Sequence, residues 1–399
     1  MSRPLHIAIS APTGYNTREL LTPLQELLTS DAAIDRVTVL TPAADHQAAI
    51  FPDYAPKFSF VYRTGGQAHY DALLAKLAPD LVITPTAGLD DKDTPILRAA
   101  KQAKIRTFTF IASWDNVYKM ERFKQFGKPY VLADYFGVWN QMMRDHLLRV
   151  FPQIHPERIF IIGAPRLDVF AHTDHIPTKQ ALYDYLELPD VTVPLLHIAT
   201  TELYPMEYIV KTIHRARIKK ELPEQLYLYA SVHPGGSLDR HQDYAARYGV
   251  TVRYSFGRRD NAVLPEFIYN PTPTETYLLV ALFKYARVLV NHSSTVAIES
   301  MLADVPVVNV KYGQRFDWWR WRRSMVFRDF KQHYDDIVRG GGTTIAHSPR
   351  ELVGSIKQYL EHPELKRAER AATTTRMITF SDGSASQRLL DTIKQVALR

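Results

Sequence analysis

The chain has no cysteine, which excludes disulfides, thiolate metal sites and a cysteine nucleophile and is compatible with a reducing compartment. No apolar run approaches the ~20 residues that a membrane-crossing helix needs. The opening residues, MSRPLHIAIS, have the pattern of a strand rather than of a signal peptide, so the expectation is a cytoplasmic protein. Internal repeats and low-complexity tracts are missing too, and no Asp-x-Asp-like metal motif stands out. His172 and His175 have metal-ligand spacing but lack a third partner, and solvated loop residues account for them better. Gly65-Gly66 and Gly340-Gly341-Gly342 lack the strand and helix that frame a phosphate loop.

What is present suits a globular α/β protein. With 399 residues, the chain is long enough for two separate cores. Its 46% hydrophobic and 23% charged residues are the composition of a folded chain, not a disordered one. The formal net charge of +7 favours anionic partners: nucleotide phosphates, lipid headgroups or nucleic acid. Lysine and arginine are scattered except over residues 315–323, so charge alone does not choose among them.

The most informative stretch is residues 287–310, which has the pattern of a buried strand, a polar turn, a helix and a second buried strand. Arg287-Val288-Leu289-Val290 and Val307-Val308-Asn309-Val310 are short apolar runs without alternation, as expected of parallel strands covered on both faces. Between them, Val296, Ile298, Met301 and Leu302 form one side of a helix that stops before Pro306. The turn Asn291-His292-Ser293-Ser294-Thr295 brings hydroxyls to the amino end of that helix, where unpaired backbone N–H groups favour an anion. Glu299 lies four positions after Thr295, about 6 Å further along the helix axis. A phosphate at the helix start would leave an attached ribose near that carboxylate, which can accept bonds from two vicinal hydroxyls. The competing reading is an ordinary N-cap followed by a solvated glutamate.

Further runs at 5–10, 37–40, 81–84, 106–111, 134–140 and 158–165 alternate with helical patterns in the first half, and runs at 194–201 and 225–230 continue the alternation in the second. That is the plan of doubly wound parallel sheets. Thr272, Thr274 and Glu275 are expected to cap a helix over 276–285.

The 287–310 unit resembles the nucleotide-binding βαβ of GT-B glycosyltransferases, and most of all the branch holding CDP-glycerol glycerophosphotransferases and surface-polysaccharide transferases. Three stretches support it: Ser231-Val232-His233-Pro234 after a strand, Thr274-Glu275-Thr276-Tyr277 at a helix entry, and Asp382-Gly383-Ser384-Ala385-Ser386-Gln387-Arg388 near the end. Gly163-Ala164-Pro165-Arg166-Leu167-Asp168 is similar to the exit from the first domain of such enzymes. One departure stands out. Members commonly carry Arg or Lys shortly before the His-Pro pair, where this chain has Ser231 and Val232.

The resemblance implies a GT-B fold: two Rossmann-like doubly wound parallel-sheet domains facing a cleft, with a C-terminal helix crossing back to the first domain. The boundaries expected are 1–171 for an acceptor domain, 172–194 for a linker, 195–375 for a nucleotide-donor domain and 376–399 for the crossover helix. Donor contacts implied are Thr200, Thr201, His233, Thr274, His292, Ser293, Ser294, Thr295 and Glu299. Acceptor contacts implied are Thr13, Gly14, Tyr15 and Asn16 of the first strand-to-helix loop, with Trp114, Asn116 and Lys119 of the Ser-Trp-Asp-Asn segment. In that segment Asp115 is the candidate general base and Trp114 a sugar-stacking platform; alternatively Asp115 and Asn116 cap a turn and Trp114 is core.

The function expected is transfer of a sugar, or a polyol phosphate, from a nucleotide-activated donor to a glycan, lipid-linked or secondary-metabolite acceptor, with Asp115 and His233 as catalytic residues. No metal or other cofactor is expected. A UDP-sugar 2-epimerase shares the architecture but requires several carboxylates at its site, and only Asp115 and Glu299 offer themselves. A non-catalytic module for nucleotides or nucleic acid is the other alternative. It is suggested by the basic, aromatic residues 311–323, which also suit a cleft-lining element or peripheral contact with the anionic inner face of a membrane. Specific nucleic-acid recognition is not expected.

Overall fold

The computed structural model describes residues 3–63, 66–85, 93–200 and 203–399. The chain divides into two compact units: residues 1–171, 259–270 and 378–399 make the first, and residues 172–258 and 271–377 the second.

The first unit is built on seven strands: β1 (Leu5–Ser10), β2 (Ile34–Thr41), β3 (Phe58–Tyr62), β4 (Leu81–Thr84), β5 (Arg106–Phe110), β6 (Tyr135–Val138) and β7 (Ile159–Ile161). They pair in parallel in the order β3-β2-β1-β4-β5-β6-β7. β1 and β4 are buried along their whole length, which is why they lack polar alternation in sequence.

The second unit has β8 (Leu195–Ala199), β9 (Tyr227–Val232), β10 (Thr251–Tyr254), β11 (Val288–Asn291), β12 (Val307–Val310) and β13 (Thr344–Ala346), parallel in the order β10-β9-β8-β11-β12-β13. Both faces of this sheet are covered. Leu196, Ile198, Leu228 and Val290 face a core with Ile209, Val210 and Ile213. Leu195 and Tyr229 face the opposite core with Leu182, Tyr183 and Leu282. Burying both faces requires the unbroken apolar runs found in the sequence.

Three expectations are corrected. Residues 172–194 are not a linker: they contain the helix Lys179–Tyr185, N-capped by Thr178, and bury Leu182, Tyr183 and Leu186 in the second unit. Residues 259–270 group with the first unit, a split with no counterpart in the expected boundaries. The helix Pro273–Tyr285 begins three residues earlier than anticipated, closed by a capping box of Thr272 and Glu275, so Thr274 lies in its first turn rather than at its cap.

The C-terminal helix Ala385–Leu398 belongs to the first unit and buries Leu389, Leu390, Ile393 and Val396 there. Its start is held by Asp168, whose carboxylate accepts from the amides of Ala385 (3.1 Å) and Ser386 (2.7 Å). Gly163, at φ +95, leaves room beside it, because a side chain would stand 3.1 Å from the Ala385 methyl. The two sequence motifs around Asp168 and Asp382 therefore join each other. Replacing Asp168 with alanine removes a charged cap at a positive helix end, and the expected loss is about 1–2 kcal/mol. Urea unfolding will read it, and an unchanged midpoint would remove Asp168 from that role.

Candidate functional site

In a parallel sheet every strand ends on the same edge, and a crevice opens where the strand order reverses. In the second unit that reversal lies between β8 and β11, the central pair of the sheet. Thr200 follows β8, His233 follows β9, and the turn of residues 292–295 follows β11, so topology brings these candidates to one edge.

The shape of the β11 turn comes from a buried polar network. Asn291 accepts from the Ser294 amide (3.1 Å) and donates to the Tyr334 hydroxyl (3.0 Å), which donates to the Asn309 amide oxygen of β12 (2.8 Å). These groups have no water to turn to, so breaking one bond leaves a costly orphan. Ser293 donates to Asp329 (3.1 Å), a buried carboxylate that sequence reasoning did not single out. The hydroxyls of Ser294 and Thr295 are half-buried, and among the described residues neither makes a hydrogen bond within the chain.

His292 takes a different part from the one expected. Its ring is 1% exposed, and its Nε2 lies 2.9 Å from the Tyr208 hydroxyl, which gives its own proton to the Tyr312 carbonyl (2.7 Å). Nε2 is therefore the donor, and burial pushes the pKa down to about 3, keeping the ring neutral. The ring sits among Tyr204, Tyr208 and Trp321. As a side chain it supports the turn rather than meeting a ligand.

Glu299 is 4% exposed on the helix Val296–Leu302, so the solvated-glutamate reading is overturned. Its charge acts on His197 of β8, raising that pKa, but burial outweighs it and holds the imidazole down at about 3. His197 bonds the Ser231 hydroxyl at 2.7 Å. Thr200 has both its amide and its hydroxyl on the Ser231 carbonyl, each at 3.0 Å, so its proton is committed to tying β8 to β9. Thr201 lies outside the described residues.

His233 is exposed, and its Nδ1 accepts from the Gly235 amide at 3.1 Å. The neutral ring then carries its proton on Nε2, as a donor to an anion. A cation that the sequence lacks before the His-Pro pair arrives from the turn four residues past β10. Arg258 donates to the Pro234 carbonyl and lies 3.8 Å over the Tyr254 ring. Only the pairing of β9 with β10, which no local pattern announced, brings it there.

In the first unit, Trp114 is 2% exposed. The expected stacking platform is a core residue, since a ring so enclosed has no face to offer a sugar. Asp115 stays partly accessible, with one oxygen accepting from Ser113 (2.5 Å) and the other paired to Lys119 (2.8 Å); Lys119 also donates to Asn116 (3.0 Å). Thr13 caps its turn by accepting from the Asn16 amide (3.2 Å), and Tyr15 stacks on Tyr269 at 4.7 Å. Gly14 is corrected as well. A side chain there would meet the Tyr269 carbonyl at 1.8 Å, so its bareness serves packing, not an acceptor. Among the described residues no group of three or more His, Asp or Glu is arranged to hold a metal ion.

The family model described as CDP-Glycerol:Poly(glycerophosphate) glycerophosphotransferase matches residues 114–395. No curated protein matches the chain significantly. Among solved structures, UDP-GlcNAc 2-epimerase from Neisseria meningitidis bound to UDP-GlcNAc is similar at TM-score 0.62 and 12% identity, over 98% of this chain and 99% of that one. UDP-GlcNAc 2-epimerase from Methanocaldococcus jannaschii gives 0.58 at 13% identity, over 98% and 99%. A glycosyltransferase from Rickettsia africae gives 0.57 at 11% identity, over 99% of each chain. At these identities the likeness is one of fold, and the fold is GT-B.

The two buried imidazoles carry a pH signature. Each has a pKa near 3 when folded against an ordinary 6.5 when unfolded. Between those values the unfolded chain binds more protons, so stability is full above pH 6.5 and is lost as pH falls toward 3. The melting temperature should drop across that window, and His197→Gln, which keeps a polar partner for Ser231, should flatten the drop. Equal slopes for both proteins would argue against a neutral imidazole at position 197.

Proposed function

The chain belongs to the CDP-glycerol:poly(glycerophosphate) glycerophosphotransferase family, and from that premise we propose that it moves a polyol phosphate or a sugar from a nucleotide-activated donor to an acceptor hydroxyl. The acceptor class is a glycan, a lipid-linked saccharide or a secondary metabolite. One observation supports the donor side above the others: the reversal of strand order in the second unit coincides with the Ser294 and Thr295 hydroxyls, which no group among the described residues engages.

In this reading the donor's phosphates meet Ser294, Thr295 and the Nε2 proton of His233, and the ribose diol meets Glu299. Ser293 and Asn291 shape the turn, and Thr200 ties the neighbouring strand ends. Chemically, the acceptor oxygen attacks phosphorus when a polyol phosphate moves, or the anomeric carbon when a sugar moves. The bond to the departing nucleotide breaks as the new one forms, and the electron pair leaves with a nucleotide phosphate oxygen. Donors aimed at that oxygen stabilise the charge where it develops, and Arg258 beside the His-Pro turn adds a positive charge to the same end. Asp115 takes the acceptor proton, which requires its carboxylate to exchange the Lys119 or Ser113 bond for the acceptor hydroxyl.

A thermal-shift screen of CDP, UDP, GDP, dTDP and CMP conjugates tests the reading, because a ligand of the native state raises the melting temperature. One conjugate should stabilise the protein, and Glu299→Gln should weaken that conjugate by about tenfold or more, the worth of hydrogen bonds to a charged group, without moving the melting temperature of the free protein by a comparable amount. Unchanged affinity in the variant would refute the ribose assignment. Conversion of UDP-N-acetylglucosamine to its 2-epimer in the absence of any acceptor would refute transfer.

A further inference from the structure

Apart from Tyr312 and Trp321, which help to enclose His292, the aromatic and basic residues 311–325 have no part in the donor site described above. They nevertheless form a built surface of the second unit. Trp321 is 7% exposed and packs on Tyr204 (5.1 Å) and Phe327 (5.9 Å). Gly313 presses against it so closely that a side chain there would sit 2.5 Å from the Trp321 Cβ. Fixed by this anchor, the helix Trp318–Arg323 displays the opposite kind of residue. Trp318 and Trp319 are 57% and 66% exposed, Phe316 is 90% exposed, and Met325 and Leu203 are each 44% exposed. Leaving that much apolar surface in water on a well-packed support marks an interaction face.

The chemistry of the face selects its partner. Arg315, Arg320, Arg322 and Arg323 are all exposed with Asp317 the single acid among them, a local charge of 4 − 1 = +3. Arg322 lies over the Trp318 ring (5.5 Å) and Arg315 over Phe316 (4.7 Å), so cation and apolar body alternate on one face. Beside Trp319 is a cavity of about 420 Å³ lined by Tyr204, Asp317, Arg320, Arg323 and Ser324. Trp318 and Trp319 stack on each other at 4.7 Å and 12°. That pairing covers one face of each ring, which reduces the stacking surface open to single-stranded bases, and exposed indoles among arginines are the side chains that favour the layer between acyl chains and headgroups. Among the described residues no helix is long and apolar enough to cross a membrane, so such a contact is with the surface of a bilayer.

We propose that this face docks the protein on an anionic lipid bilayer: Phe316, Trp318 and Trp319 enter the interfacial layer, and Arg320 and Arg323 hold a headgroup phosphate at the cavity beside them. The proposal is independent of the donor reading, since none of its residues is assigned to nucleotide or catalysis. Co-sedimentation of the full chain with vesicles of phosphatidylcholine, with and without phosphatidylglycerol, tests it. Binding should be about tenfold stronger to the anionic vesicles and should weaken with salt. It should be lost in a Trp318→Ala/Trp319→Ala variant and reduced in an Arg320→Gln/Arg323→Gln variant, both melting as the parent does. Equal binding to the two vesicle types, or retention by the tryptophan variant, would overturn the proposal. So would a tryptophan variant that loses affinity for a single-stranded oligonucleotide while the parent shows no affinity for vesicles.

Discussion

The side chain of Asn291 governs the edge of the second sheet at which the donor is proposed to bind. It stands at the last position of β11, 1% exposed, and satisfies its amide through the Ser294 N–H, Tyr334 and Asn309. An apolar residue would continue the strand but leave the Ser294 amide, the Tyr334 hydroxyl and the Asn309 side chain short of partners inside a dry sheet. Because the amide bends the chain back on itself, the following hydroxyls stand at the edge where β8 and β11 part. The turn's geometry is thus set beneath the surface by β12 and a residue more than 40 positions away (Tyr334), while among the described residues the Ser294 and Thr295 hydroxyls make no hydrogen bond.

This division of labour explains which parts of the fold were legible. β1, β4 and β12 were bounded to the residue from sequence, and they are central strands buried along their whole length. β3, β10 and β13 went unread, and all three are edge strands only partly buried, so their patterns carry no continuous apolar run. The helix Lys179–Tyr185 did have a local signature, Thr178 as cap followed by Leu182, Tyr183 and Leu186, masked by the neighbouring His, Asp and Pro residues. The excursion of residues 259–270 had none. It is revealed by Tyr269 lying against Gly14, a contact between segments some 250 positions apart.

The placing of the candidates at the sheet edges was legible, and the direction of their side chains less so. Residues just past the carboxyl end of a parallel strand are good candidates for ligand contact, and by that position together with the family resemblance Trp114, Gly14 and His292 were singled out. Burial reassigns all three to packing. The rule places a residue at the edge without saying which way its side chain turns, and that choice depends on the aromatic neighbours that later segments supply, such as Tyr208 and Trp321 around His292. Arg258, Asp329 and Tyr334 were missed for the complementary reason. Each reaches the site from an element whose own sequence speaks only of helix caps, turns or edge strands.

The motifs that carry the family resemblance need the same separation of fold from chemistry. Gly163 to Asp168 and Asp382 to Arg388 look like catalytic signatures because they combine Gly, Asp, Ser and Arg, yet they serve each other: Asp168 caps the helix that the second motif begins, Asp382 pairs with Arg388, and Gly163 makes room for Ala385. Their presence argues for the architecture of the first unit and says nothing about which group is transferred. The proposed donor and acceptor chemistry rests instead on short, at least partly accessible pieces that a fold constrains weakly: a hydroxyl pair after β11, a histidine after β9, a carboxylate before the helix Asn116–Gln125. That is why a fold likeness at 11–13% identity extends over nearly the whole chain while leaving the substrate open. Activity in this chain is therefore to be sought by changing those few groups, since altering the motifs would report on stability.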